Sequence, residues 1–252
     1  MKVLNDRGYE IFFDEYVPEG ANKIVVSLHG FSSSRKSSCI LMLKDKLYKY
    51  KIGVVTFDFP AHGESLISGR GLSVDNCLKD LDFICKYIRD KYPNIEISLF
   101  ASSFGGYIGM LYKHLYSVEF KDFIFRAPAI KMYEVLYKDI IDEKIENELN
   151  INGYFKFGYE RELDIYLSFL EELKKYNIFK LYEGSTNLNY NIIHGTVDDV
   201  VPINDSIEFC EKYGSILYKV EGADHRFKKY GELEQVIDIV FDILKQQNKN
   251  NH

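Results

Sequence analysis

Two kinds of apolar pattern alternate along the chain. Short runs in which nearly every residue is apolar, many of them β-branched or aromatic, occur at KIVVSL (23–28), GVVTFDF (53–59), EISLF (96–100), DFIFRA (122–127), NIIHG (191–195) and SILYKV (215–220). Side chains on a strand alternate between faces, so an unbroken apolar run predicts a strand covered on both sides. Between these runs, apolar residues recur at helical spacing over 39–50, 74–92, 104–116, 203–213 and 230–246, which predicts helices. Strand then helix, repeated, predicts an α/β fold with a mostly parallel central sheet and helices on both faces. The opening VLNDRGYEIFFDEYVPEG predicts one or two further strands with a turn at Gly8, and the polar tail QQNKNNH is expected to fray.

The interval 129–188 breaks this rhythm. No buried strand is expected in it, but two amphipathic helices are, at roughly 132–149 and 161–176, joined by NINGYFKFGYE. An interval of that length with its own helices predicts a cap or lid, inserted into a core made of residues 1–128 and 189–252. Its aromatics include Tyr133, Tyr137, Tyr154, Phe155, Phe157, Tyr159 and Tyr166. Most are expected to pack the cap onto the body. If the cap roofs a cavity, some must face it, and Tyr154, Phe155 and Phe157, together with His29, are the candidate substrate contacts.

Composition narrows the classes of function. At 252 residues and 46% hydrophobic, the chain has the size of one large α/β domain. A formal net charge of -6 argues against a nucleic-acid partner, which needs clustered basic residues to displace counterions. The first residues, MKVLNDRGYE, carry charges where a secretory signal would be apolar, and no run approaches the roughly 18 apolar residues that span a bilayer. A cytoplasmic address and no membrane span are therefore expected. The four cysteines, Cys39, Cys77, Cys85 and Cys210, form no C-x-x-C pair, so buried free thiols are expected rather than a zinc site or a redox dithiol.

Candidate chemistry begins at ISLFASSFGGYIGM. A strand ends near Phe100 and a helix starts near Phe104. Between them lies a G-x-S-x-G elbow with Ala101 in the first glycine position. A nucleophile on so tight a turn needs small residues two places on either side, because strand and helix backbones pass very close there. Ser103 has Ala101 and Gly105, whereas Ser102 would have Phe100 and Phe104, so Ser103 is the candidate nucleophile. The following helix N-terminus would favour a developing oxyanion. The competing possibility is a serine that merely caps a helix.

A general base follows by elimination. With the order nucleophile, acid, histidine, His29 and His62 come too early. His114 lies within a helical pattern, His194 ends a strand as a structural histidine would, and His252 is the last residue. His225, in EGADHRF after a strand, remains, at the kind of loop where parallel sheets hold reactive groups. The loop in NIIHGTVDDVVP offers Asp198 and Asp199 as the acid. Asp198 is favoured, and a carboxylate there would fix the imidazole tautomer and stabilise the imidazolium.

In order and spacing, LHGF, FDFPAHGES, ASSFGG, HGTVDDVVP and GADHRF resemble the α/β-hydrolase superfamily, most closely its cinnamoyl and feruloyl esterase-like and acylglycerol lipase-like members. The resemblance implies an α/β-hydrolase fold with a helical cap. It also implies that Phe31 and Phe104 supply two backbone N–H groups to an oxyanion hole, and it maps the family acid onto Asp198, with Val201 and Pro202 completing the motif. Ala101 for glycine, and Ser102 where histidine is frequent, depart from the family pattern. The implied activity is hydrolysis of a small-molecule ester with small-to-medium apolar or aromatic acyl groups, needing no metal or organic cofactor. An acylglycerol lipase, a thioesterase and a serine aminopeptidase would use the same triad.

Two readings from other classes compete. GFSSSRKS (30–37) imitates a P-loop, with Lys36 and Ser37 in place and Asp58 as a metal-binding acid, but Arg35 stands where a glycine must let the backbone approach phosphate. A fold retained only for binding would be expected to have lost its nucleophile or base, and both are present.

Overall fold

The computed structural model describes residues 1–116, 120–158 and 161–246. Tyr159 and the end of the polar tail, His252 included, lie outside the described residues. The elements run β1 (Lys2–Leu4), β2 (Glu10–Tyr16), β3 (Lys23–Leu28), α1 (Ser38–Tyr48), β4 (Ile52–Phe57), α2 (Val74–Lys91), β5 (Glu96–Ser102), α3 (Phe104–Leu115) and β6 (Phe123–Arg126). There follow α4 (Met132–Ile140), α5 (Glu143–Asn152), β7 (Tyr154–Phe157), β8 (Leu163–Tyr166), α6 (Leu167–Lys175) and α7 (Ile178–Leu181). The chain closes with β9 (Asn191–Gly195), α8 (Ile203–Tyr213), β10 (Ile216–Val220) and α9 (Glu232–Gln246).

Among the described residues the main sheet has the order β1-β2-β4-β3-β5-β6-β9-β10. β1 and β2 pair antiparallel at one edge, and every pairing from β4 to β10 is parallel. The unbroken apolar runs are explained by two cores. Ile24, Val26 and Leu28 of β3 point into one and Val25 into the other; Phe125 and Ile124 of β6, and Ile192 and Ile193 of β9, divide in the same way. Helices α2, α3 and α8 cover the first face, and α1 and α9 cover the second. This is the α/β-hydrolase architecture. All four cysteines are buried and free.

The interval 129–188 differs from the two helices expected. Its first helical stretch is divided into α4 and α5, and Asp142 caps α5 by accepting the Ile145 N–H at 2.9 Å. The segment expected to open the second helix is instead β8, which pairs antiparallel with β7 so that Tyr154 lies opposite Tyr166. Phe155, Leu163 and Ile165 are buried while Lys156 faces water, a period-two pattern too short to stand out in a sequence. Gly153, at φ 74°, ends α5 in the left-handed conformation and turns the chain into β7.

The interval 129–188 is tied firmly to the rest of the fold. Phe155, Leu163, Ile165, Phe169, Leu170 and Leu173 belong to the same buried cluster as α2 and α3. Arg161 Nη1 donates to the carbonyl oxygens of Gly63 (2.6 Å) and Ser65 (3.2 Å). Glu172 accepts the Val74 N–H at 2.6 Å, at the start of α2. A Cβ built at Gly69 would lie 2.1 Å from the Asp164 carbonyl oxygen, so that contact requires glycine.

Candidate active site

β5 delivers its last residues to the carboxyl edge of the sheet, and the chain then reverses into α3 through Ser103, which is held at φ 52° and ψ -115°. Backbone that L-residues rarely adopt persists only where its surroundings hold it. Here the Ser103 N–H donates to the Arg126 carbonyl at 2.9 Å, and its own carbonyl accepts the Ala129 N–H at 3.1 Å. The crossing is too close for a side chain at Gly105, where a Cβ would sit 2.6 Å from the His29 carbonyl oxygen and 2.8 Å from Leu28 Cβ. Ala101 is fully buried, and a Cβ at Gly109, one helical turn on, would lie 3.6 Å from its methyl group.

Ser103 occupies the N-cap position of α3, yet its side chain makes no capping hydrogen bond. Its Oγ lies 3.1 Å from Nε2 of His225, and Nδ1 of His225 lies 2.7 Å from Oδ2 of Asp198. A carboxylate only accepts, so His225 Nδ1 carries the proton and Nε2 presents its lone pair to the serine hydroxyl. The Asp198 side chain is fully buried. Burial alone would raise its pKa, but hydrogen bonds from His194 and His225, the imidazole charge and the Val201 N–H outweigh it and hold Asp198 well below the usual carboxylate range. Its other oxygen accepts the N–H groups of Val200 (2.9 Å) and Val201 (2.7 Å). Asp199, by contrast, is exposed.

His194, read from the sequence only as a strand-end histidine, holds Asp198 in place. It is buried, with Nδ1 2.9 Å from Ser206 Oγ and Nε2 3.1 Å from both the Val201 carbonyl and Asp198 Oδ2. Nε2 therefore donates and Nδ1 accepts from the serine hydroxyl. The signal available in sequence was its spacing of four from Asp198 across the turn after β9.

His29, a candidate substrate contact, faces the backbone instead. Its Nε2 accepts the Phe59 N–H at 3.1 Å and its Nδ1 lies 2.8 Å from the Gly30 carbonyl, so both ring nitrogens are engaged. Burial pushes its imidazole down to about 4 despite the Gly30 hydrogen bond. A neutral His29 fixes the loop that carries Gly30 and Phe31. A Cβ at Gly30 would sit 3.4 Å from Ser103 Cβ, placing this loop against the elbow. Phe31 packs between Phe104 (edge-on, 5.3 Å between centroids) and Phe169 (stacked, 5.9 Å).

A cavity of about 180 Å³ opens beside Ser103 and His225, with Gly30, Phe31, Ser102 and Arg126 among its walls. Tyr154, Phe155 and Phe157 do not line it. Tyr154 lies tilted against Tyr166 at 5.1 Å, Phe155 is in the core, and Phe157 lies against Phe31 at 6.2 Å. Phe157 and Phe169 thus reach the site through the Phe31 ring.

The loop that imitates a P-loop has a different use. The Arg35 guanidinium turns inward to Asp58, Asp14 (2.9 Å) and Glu64 (2.7 Å), while Lys36 pairs with Glu64 at 2.6 Å. Asp58 also accepts the Arg35 and Glu64 N–H groups. Lys36, in the phosphate-binding position, is thus spent on Glu64, and Asp58, in the metal-binding position, on Arg35. Among the described residues no group of three or more His, Cys, Asp or Glu could hold a metal ion, and no helix is long and apolar enough to cross a membrane.

Solved structures share this fold at low sequence identity. A putative hydrolase from Agrobacterium vitis S4 superposes with a TM-score of 0.80 at 18% identity, covering 97% of each chain. Est1E from Butyrivibrio proteoclasticus, solved with ferulic acid bound, gives 0.78 at 17% identity over 99% of each chain. The mouse α/β-hydrolase domain-containing protein 10 gives 0.77 at 15% identity over 98% of each. No curated protein sequence matches the chain. Residues 19–147, just over half of the 252, match the family described as serine aminopeptidase, S33. The chain belongs to that family and is a serine hydrolase of the α/β-hydrolase superfamily.

Proposed function

We propose that the chain hydrolyses carboxylic esters of small acyl groups through an acyl-enzyme on Ser103. The observation that carries this reading is the continuous relay from Asp198 through His225 to a serine hydroxyl that is spared from capping and opens on a cavity. His225 Nε2 takes the hydroxyl proton as Ser103 Oγ attacks the ester carbonyl. The backbone N–H groups of Phe31 and Phe104 receive the oxyanion, one from the loop after β3 and one from the positive end of α3. His225 then returns its proton to the leaving alkoxide, the C–O bond breaks, and the same nitrogen activates the water that releases the acid. Asp198 stays ionised throughout.

Ester cleavage is favoured over aminopeptidase action by the cavity walls. A free α-ammonium needs a carboxylate to receive it, and none of the lining residues is Asp or Glu. Small acyl groups are favoured by volume, since about 180 Å³ falls below the roughly 300–1,000 Å³ of pockets for drug-sized ligands. The aromatic preference expected from the cap has little support in these walls, where Phe31 is the one Phe or Tyr. Residues 129–188 are read as a cap whose part in the chemistry is to hold Phe31, and with it the oxyanion N–H, by stacking Phe157 and Phe169 on its ring.

A panel of p-nitrophenyl esters of rising chain length, run beside methyl ferulate, a monoacylglycerol, an acyl-CoA and an aminoacyl anilide, tests the reading. Turnover is expected to be highest for short esters and to fall with chain length. Preference for the anilide would replace this reading with a peptidase.

A further inference from the structure

The cavity beside Ser103 has a chemical character that ester cleavage alone does not require. Its walls include two guanidinium-bearing residues, Arg126 and Arg226, and the hydroxyl-bearing Ser37, Ser38 and Ser102, with no acidic side chain. Arg126 is the last residue of β6 and lies in register with Ser102 of β5. Its Nε donates to Ser102 Oγ at 3.1 Å, and its guanidinium lies 5.3 Å from the Phe227 ring centroid. Both contacts hold the group among the cavity walls, beside Ser102 and so one residue from Ser103. Among the described residues no carboxylate comes within ion-pair distance of Arg126.

Arg35 shows how the same chain treats a buried guanidinium elsewhere, with three carboxylates around it. Taking a cation partly out of water costs free energy that an opposite charge must offset. At Arg35 the fold supplies that charge, and at Arg126 it does not. Arg126 presents its terminal nitrogens as the planar fork that matches a carboxylate or phosphate. The start of α1 adds to this field. Ser37 caps it without a side-chain hydrogen bond, and Ser37, Ser38 and Cys39 all line the cavity, so the positive end of an 11-residue helix faces the same space.

We infer that this cavity is an anion subsite: the ester substrate carries a carboxylate or phosphate group that Arg126 receives while its carbonyl lies at Ser103. This rests on the ester-hydrolase reading for the identity of the substrate, but binding of the anion itself does not depend on turnover. On the acyl side such a group stays in the subsite through both chemical steps, and on the alcohol side through acylation alone; in either case it sets specificity rather than taking part in bond making.

Two substrate pairs locate the anion. On the acyl side, the monoanion p-nitrophenyl hemiglutarate is compared with neutral p-nitrophenyl valerate; on the alcohol side, p-acetoxybenzoate is compared with phenyl acetate. The anionic member of one pair is expected to be favoured in kcat/KM by about tenfold or more, as a charge-assisted hydrogen-bonded pair would give. Arg126→Gln should collapse that ratio at least tenfold, and Arg126→Lys, which keeps the charge but loses the fork, should restore part of it. Comparing ratios within each variant cancels any general loss of activity.

A binding measurement separates this inference from the ester reading. Glutarate and inorganic phosphate are titrated calorimetrically into Ser103→Ala protein and into the Ser103→Ala, Arg126→Gln double variant. One of the two anions should bind the first and lose at least tenfold in affinity in the second, with the thermal midpoints of both proteins showing that each is folded. Neither anion binding, equal binding to both proteins, or wild-type ratios near one for both substrate pairs overturns the anion subsite. Anion binding without hydrolysis of any ester keeps the subsite and overturns the ester reading.

Discussion

Ser103 Oγ lies 3.1 Å from His225 Nε2, although 122 positions separate the two residues in the chain. The serine stands on a turn between β5 and α3, and the histidine in the loop after β10, at the far edge of the sheet order. The parallel part of the sheet brings them together because β5 and β10, which precede the two residues, end on the same edge.

Asp198 and Asp199 are adjacent but differ in environment. Asp198 is enclosed by His225, His194 and two backbone N–H groups, and Asp199 is exposed. Asp198→Asn should lower kcat by about two to four powers of ten, through loss of the imidazolium's counter-charge and tautomer control. Asp199→Asn should stay within a few-fold of wild type. Steady-state kinetics on a short p-nitrophenyl ester decides it, and a larger loss at Asp199 would show that the acid has been misassigned.

The elbow sets unequal tolerances at its two small residues. Gly105→Ala drives a Cβ into the His29 carbonyl and Leu28, so it should destabilise the fold by about 1–3 kcal/mol and reduce Ser103 reactivity with it. Ala101→Gly removes only a methyl group that is already accommodated, and should keep most activity. Thermal midpoints and kcat measured on the two variants side by side provide the check; equal effects would mean that the crossing is looser than described.

Two buried histidines make stability depend on pH. Burial pushes the imidazoles of His29 and His62 down to about 4 and about 3 respectively, so both are neutral in the folded protein near neutrality. Unfolded, each titrates near 6.5. Between about pH 6.5 and pH 4 the unfolded chain therefore binds protons at these sites that the folded chain does not. Their contribution is fully present above pH 6.5 and is lost as pH falls, by up to about 1.4 kcal/mol per pH unit for each histidine. Denaturant midpoints at pH 7, 6 and 5 should decline, less steeply in His62→Asn, and the imidazole resonances of both residues should remain those of the neutral ring at pH 5. A His62→Asn profile as steep as that of wild type would contradict the assignment.

The features that were legible in the sequence are those with local causes. The small residues flanking Ser103 follow from one steric crossing, and the apolar runs follow from burial on both faces of the sheet. The hairpin of β7 and β8 escaped because each strand has four residues, fewer than a periodicity needs, and because YFKF adjoins a helical pattern. Arg126 escaped for a different reason. It ends an apolar run, FIFR, as any solvated strand end does, and its position beside Ser103 depends on the register of β5 against β6 and on where α1 begins. His194 and His29 were visible as residues, but their tasks, holding Asp198 and the Phe31 loop, depend on partners supplied by other segments.

The nucleophile is the claim on which the rest depends, and a fluorophosphonate probe tests it directly. Folded protein is labelled near neutral pH, digested, and the modified residue is located by tandem mass spectrometry on the peptide that contains both serines. The label is expected on Ser103 in the wild type and in Ser102→Ala, with none in Ser103→Ala, and with labelling much slowed in His225→Ala because the hydroxyl then lacks its base. Label found on Ser102, or undiminished labelling of Ser103→Ala, would contradict the account.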